Sequence, residues 1–467
     1  MRVAMCLFLA ASAARGADYA QVFNVKMFGA AGDKKTLDTL AIQKTIDACH
    51  KSGGGVVYFP TGDFLSGTLT LTSGVTLHLS PGATLWGSRN IGDYNPRHLL
   101  YARDAENIAI EGGGAINGQG EAFWDQDFKP LARPSPLIEL WGCRDVRIQD
   151  VRILNAPAWT IHPKNCVRVK IRGISLVNNM KGLNTDGIDP DSSRDVIISD
   201  SYIEAGDDCI VLKTTSRGGP VLPCENVTVT NCVLVSSASA LKLGTESHAD
   251  FRHIVFSNCV IRNSRTGIAL LNKDGATMEG IHFSNITMQT APKVGKGVEW
   301  PIVIDLEKRA PESRLGRIRD VTLSDIRIYT KGRIMVTGMP ESPFERITFR
   351  NVTMRVDGWE AVEKERKLRG GTVRKVPGVI DLGSVPAALI LAHIRNLDLD
   401  GFHVDWDAPA PAPERHVLWG ENLDSVRITG FDGRPSRPGG KLAAIQLKDA
   451  RNVTLNGGSW PPARTRP

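Results

Sequence analysis

A short phrase returns along most of this 467-residue chain: a polar residue, an apolar one, any residue, an apolar one, then a polar turn and a second apolar pair. It is read at Asp145-Val146-Arg147-Ile148, Arg168-Val169-Lys170-Ile171, Asp195-Val196-Ile197-Ile198 and Asn226-Val227-Thr228-Val229. It continues at His253-Ile254-Val255-Phe256, Gly280-Ile281-His282-Phe283, Asp320-Val321-Thr322-Leu323 and Arg346-Ile347-Thr348-Phe349. The spacings run roughly 23 to 31 residues, with one longer gap before Val321. Apolar residues two apart mark a strand with one buried face. A unit this short cannot bury that face alone, so successive units must stack into a solenoid with one continuous core. Each is also too short for a strand plus a crossover helix, and Gly and Asn punctuate the gaps. The expected fold class is all-β, a single-stranded right-handed parallel β-helix.

Like residues recur one coil apart, as in Asn231-Cys232-Val233 and Asn258-Cys259-Val260, or Cys143 and Cys166, which predicts stacked ladders of like side chains. With 42% hydrophobic residues and 46 glycines the chain can bury a long core within one domain, 18–458. Before the coils, Asp38 to Cys49 carries apolar residues at helical spacing and Gly53-Gly54-Gly55 ends it, predicting a short capping helix. Such a helix would cover strand edges that the first coil leaves bare.

Residues 1–14 have one basic residue, a short apolar run and a small-residue exit, the pattern of a secretory signal, so 1–17 is read as a signal and the protein is expected to be secreted or periplasmic. Asp407 to Pro413 reads as a surface loop, and 459–467 as a disordered tail. No segment looks transmembrane. The eight cysteines lack zinc-ligand spacing and sit mostly beside strand phrases, where small buried thiols belong. A formal charge of +7 attracts acidic polymers, but basic residues are spread out without interleaved aromatics, so nucleic acid is not an expected partner. No glycine-rich phosphate loop and no His-Glu-x-x-His spacing occur, so neither a cofactor nor a metal is expected. A monomer is the expected state.

The chemistry concentrates in Asn184-Thr185-Asp186-Gly187-Ile188-Asp189-Pro190 and, about one coil later, Gly206-Asp207-Asp208-Cys209. Residues one coil apart lie side by side at the inter-strand spacing of about 4.7–4.9 Å, so Asp186 can face Asp207 and Asp208. Grouped carboxylates of this kind suit glycosidic bond hydrolysis. Asp189 and Asp191 are read as turn residues, since Asp often satisfies backbone groups in turns.

These two motifs, with Val75 to Leu79, Gly82 to Leu85 and Gly114 to Gly120 upstream, resemble family 28 of the glycoside hydrolases, the polygalacturonase family. The likeness runs from about Phe28 to Thr353. It implies inverting hydrolysis of α-linked pectic poly- or oligosaccharides without metal or organic cofactor. Asp207 matches the family's general acid, and Asp186 and Asp208 the pair that positions and activates water. Flanking carboxylates would raise the acid's pKa by like-charge repulsion.

Two family motifs are absent. Gly-His-Gly is replaced by Ser236-Ser237-Ala238-Ser239-Ala240-Leu241-Lys242-Leu243, and Arg-Ile-Lys, which grips the galacturonate carboxylate next to the cleavage point, by Gly267-Ile268-Ala269-Leu270-Leu271-Asn272-Lys273-Asp274. Losing the arginine removes a planar fork for a carboxylate. A mixed polymer of rhamnogalacturonan type, or removal of a terminal sugar from a pectic oligosaccharide, therefore suits this chain better than plain homogalacturonan. Lys242, Glu246 and Lys273 are candidates to replace lost contacts, and Asn184 belongs with the acids. Trp159 and His162, about one coil before Asp186, are candidates to stack on a sugar and donate to a hydroxyl; Lys213 is a candidate to reach a substrate carboxylate. Two other function classes share the fold: a pectate-type lyase, which the two Asp motifs disfavour, and a non-catalytic carbohydrate-binding β-helix, which the missing motifs allow.

Overall fold

The structure, a computed structural model, describes residues 21–294, 299–357, 385–407, 414–437, 439–459 and 464–466. The expected signal, 1–17, lies outside them, as does all but Asp407 of the expected 407–413 loop. Strand pairing is parallel throughout, apart from two isolated antiparallel bridges in loops, and each strand pairs with its counterpart about one coil away. The chain is a right-handed parallel β-helix, the hand that parallel crossovers take. One apolar cluster runs through it from Val25 to Leu447.

The first residue of every repeated phrase has left-handed backbone: Asp145, Arg168, Asp195, Asn226, His253, Gly280, Asp320 and Arg346 have φ between 54° and 63°. The chain turns there, which explains why that position is polar: the side chain points to solvent and Asp, Asn and Gly tolerate this conformation best. Inside, matched apolar residues stack coil on coil. Leu100, Ile138, Ile161, Ile188, Ile210, Leu241, Ile268 and Ile302 form one such file. Phe256 and Phe283 stack with ring centroids 4.8 Å apart. The longer gap before Val321 holds the same strand as its neighbouring coils, Trp300–Leu306, paired with Thr266–Asn272, so the added length lies outside the ladder.

Helix α1, Thr39–Lys51, buries Ile42, Ile46 and Cys49 in the core at the N-terminal end. The carboxylate of Asp38, its N-cap, accepts from the backbone N–H of Ala31 (2.7 Å) and Gly32 (3.0 Å) rather than from the helix, tying α1 to the preceding turn. At the other end Ser459 closes a strand and the backbone of Arg464–Arg466 pairs with Ile445–Lys448. The expected disordered tail is thus part strand, because the last ladder edge still offers unpaired N–H and C=O groups. The seven described cysteines are free and buried. No described helix is long and apolar enough to cross a membrane.

Candidate active site

The acids meet because the backbone of neighbouring coils is zipped at this point. Thr160 N–H donates to Asp186 O (3.0 Å) and Gly187 N–H donates to Asp208 O (2.9 Å), so Asp186 and Asp208 lie side by side. Two motif glycines permit the approach: a Cβ on Gly187 would stand 2.4 Å from Cys209 O, and one on Gly206 2.3 Å from Asn179 O. Asn178 fixes the turn, accepting from Ala156 N and donating to Thr160 Oγ1 and Thr185 O. Asn184 takes the left-handed conformation (φ 56°), with Nδ2 3.4 Å from Asp207 Oδ2.

Asp186, Asp207 and Asp208 are buried, at 2%, 6% and 2% exposure, so their charges act on one another with little screening. Their environments differ. Burial raises Asp208, but Lys242 and Lys213 outweigh it and hold this carboxylate below its ordinary range. Lys242 Nζ sits 2.7 Å from its Oδ2, and Ser239 N–H donates to Oδ1 at 3.0 Å. Asp186 is pushed well above the carboxylate range by burial and by Asp189 and Asp207, against Lys213; its Oδ1 is buried without a hydrogen-bond partner. The pair expected to act together on water is therefore split, Asp208 held below and Asp186 above the ordinary carboxylate range, with Lys242 the cation in contact with Asp208.

Lys213 Nζ lies 3.3 Å from Glu246, 3.8 Å from Asp189 and 4.0 Å from Asp186, beneath the Trp159 ring at 4.7 Å from its centroid. Burial opposes its charge, yet Glu246, Asp186 and Asp189 hold it firmly protonated. Glu246 is kept ionised, burial being outweighed by Lys213 and Lys242. Trp159 remains partly exposed at the site.

Three expectations are corrected. His162 does not face a sugar: Nδ1 is 2.8 Å from Glu139 and Nε2 3.2 Å from Asp191, so both ring nitrogens are taken. Lys273 is spent on Glu307 at 2.7 Å. Asp189 and Asp191 are not solvated turn residues; both are fully buried on a strand-like segment bridged to Ile161, Lys164, Ile210 and Lys213. Pro190 interrupts the regular ladder there and hid the strand. Asp191 anchors a buried network with His162, Lys164 (3.0 Å) and Thr215 (2.5 Å), and these partners hold it below the ordinary carboxylate range despite burial. Burial pushes Asp189 up to about 7 against Lys213 and His162, and neither of its oxygens has a hydrogen-bond partner.

Arg133 also belongs here. It reaches in from the loop after the 3₁₀ turn Gly120–Phe123, and Asp186 is the charge that supports its half-buried guanidinium. Among the described residues no cluster of His, Cys, Asp and Glu is spaced to hold a metal ion.

Residues 49–369 match the family model of the glycosyl hydrolases family 28. A probable polygalacturonase of Vitis vinifera is 32% identical over 248 residues, covering 47% of this chain and 50% of that protein. Polygalacturonase-2 of Solanum lycopersicum is 29% identical over 207 residues, covering 42% and 45%. The chain thus spans about half the length of the plant relatives it matches. Among solved structures, a hyperthermoactive exopolygalacturonase from Thermotoga maritima superposes with a TM-score of 0.63 at 25% identity, covering 72% of this chain and 88% of that one. A family 28 exopolygalacturonase of Yersinia enterocolitica shares the fold, with a TM-score of 0.62 at 18% identity over 94% of this chain and 79% of its own. With the two Asp motifs assembled as described and most of its length matched, this chain belongs to the glycosyl hydrolases family 28.

Proposed function

We propose that the protein hydrolyses α-glycosidic bonds in pectic poly- or oligosaccharides, with inversion, by acid/base catalysis between aspartates. The observation that carries this reading is the meeting of Asp186, Asp207 and Asp208 in one buried spot where Asp208 is paired with Lys242 while Asp186 keeps an oxygen without a hydrogen-bond partner. Asp208, paired to Lys242, is the base: it takes a proton from a water that attacks the anomeric carbon. Asp207 delivers a proton to the glycosidic oxygen as the bond to it breaks, so the leaving sugar departs as an alcohol. Burial, and then repulsion by Asp189 and Asp207, raises Asp186 above the ordinary carboxylate range. Trp159 offers an aromatic face to a sugar ring.

The substrate is of rhamnogalacturonan type. Where the family arginine fork would stand, Ala269 is buried against Val303 and Met335 under Leu271 and Trp300. Lys273, four residues on, is paired with Glu307, and Arg309 with Asp274. A neutral sugar fits that side better than a second carboxylate. Wall polymers are met outside the cell, so the proposal includes export, secreted or periplasmic.

The test is product analysis after incubation with homogalacturonan, rhamnogalacturonan and their oligomers in water enriched in heavy oxygen. Saturated products carrying the label, released first as the inverted anomer, are expected from rhamnogalacturonan. Unsaturated, unlabelled products would replace the reading with a lyase, and no product from any of them would replace it with a binding protein.

A further inference from the structure

The site holds a cation that no sequence motif announces. Arg133 Nη1 donates to Pro157 O at 2.7 Å and to Leu183 O at 2.8 Å, two carbonyls on separate coils, the second of them three residues before Asp186. Its Nε and Nη2 make no hydrogen bond to the described residues and are not sealed from solvent. The guanidinium is therefore fixed by one corner while its other N–H groups stay open beside the acids.

The loop that presents it is rigid. Asp125 Oδ1 accepts from the N–H of Asp127 and Lys129, and Leu131 N–H returns to Phe123 O. Trp124 packs so closely on the Asp186 loop that a Cβ on Gly182 would stand 2.7 Å from its ring, and Lys181 Nζ lies 5.4 Å from the centroid of Phe128. An arginine preorganised in this way loses little entropy on binding a planar anion, and its fork matches a carboxylate.

Arg133 reaches the acids from the coils before them, whereas the absent Arg-Ile-Lys would have lain in a coil after them, where Ala269 is now buried against Val303 and Met335. We propose that Arg133 is the anchor for the substrate's only recognised carboxylate, so that the site takes a uronate on this side of the scissile bond and a neutral sugar on the other. This rests on the hydrolase reading and specifies which sugar lies where. Arg133 is a substrate-binding residue in this account, with no part in proton transfer.

The test is equilibrium binding, by calorimetry in an Asp207→Asn background, of a galacturonate–rhamnose oligomer and of the same oligomer methyl-esterified. With Arg133 present the free acid is expected to bind at least about tenfold tighter than the ester, the usual worth of a charge-assisted hydrogen bond in place of a neutral one. Arg133→Gln is expected to abolish that preference. Arg133→Lys, which keeps a donor for the two carbonyls and the charge but not the fork, should retain part of it. A preference that survives Arg133→Gln, or an equal loss for acid and ester, would overturn the proposal and leave Arg133 a clamp between loops. Product release by the chain with Asp207 intact is measured separately, so failure to hydrolyse counts against the hydrolase reading alone.

Discussion

Lys242 Nζ lies 2.7 Å from Asp208 Oδ2, so the lysine expected to touch a sugar is instead the counter-charge of the carboxylate proposed to activate water. Without it, two opposing effects no longer balance: burial raises the carboxylate, and only Lys213 and the Ser239 hydrogen bond would remain to lower it. Lys242→Met is therefore expected to raise the pKa of Asp208. Because the base works only when ionised, the acid limb of the kcat/KM profile should move to higher pH. The alkaline limb, set by the proton that the general acid must deliver, should stay. An acid limb unmoved in the variant would show that Asp208 is not the base.

Asp207→Asn removes a proton donor while keeping the shape of the side chain and its neighbour Asn184. Turnover should fall about 10²–10⁴-fold, the usual worth of a positioned general acid, with the melting temperature little changed. Near-normal turnover on every pectic substrate that the parent cleaves would remove Asp207 from the mechanism.

The fold was legible because the repeated phrase is set by backbone need. Its first position is the left-handed turn, and Asp, Asn or Gly there can be read by eye. A second pattern lay one residue earlier. Arg194, Glu225, Arg252, Glu279, Arg319, Glu345, Arg395, Asp424 and Arg451 form a single ladder of alternating charge. Each such pair is worth little by itself. Skipping one coil would set like charges opposite each other, so the series favours the native register.

The site was legible only where the motifs spoke. Asp189 and Asp191 could have been found from Ile161-His162-Pro163-Lys164, Ile188-Asp189-Pro190-Asp191 and Ile210-Val211-Leu212-Lys213, which are one strand position repeated over three coils. Proline inside a strand argues against a strand when read alone, and that masked the repeat. His162 shares the repeat but gives no sign of Glu139, which stands one coil earlier behind an unrelated sequence. Arg133 had no signal at all, since a loop's landing point depends on the whole stack.

His162 is pushed up to about 10, burial being overcome by Glu139 and Asp191. A histidine with a raised folded value lends stability that is complete below its ordinary 6.5 and is lost as the pH climbs through about 10. His162→Gln leaves the buried Glu139 without its cation and Asp191 with Lys164 alone, and should cost about 3–5 kcal/mol near neutral pH. Thermal unfolding at rising pH should show the gap between parent and variant closing as about pH 10 is passed. Adding Glu139→Gln should restore part of the loss; no recovery would mean that the ring's packing, rather than its charge, is what matters.

Asp189 gives a pH dependence of the same sign in a lower window. Its folded value, up to about 7, lies above the unfolded 3.8, so the folded chain binds this proton more tightly than the unfolded one. Stability must then fall as the pH rises between those values, because keeping the group buried costs progressively more once the unfolded chain can ionise it freely. Asp189→Asn removes the titration while preserving size and the contact with Lys213. Relative to the parent, the variant should be more stable at about pH 8 than at about pH 4.5, as read from the difference in melting temperature at the two pH values. A constant difference would show that Lys213, 3.8 Å away, keeps Asp189 ionised throughout, and the site would then carry one more negative charge than the balance drawn here.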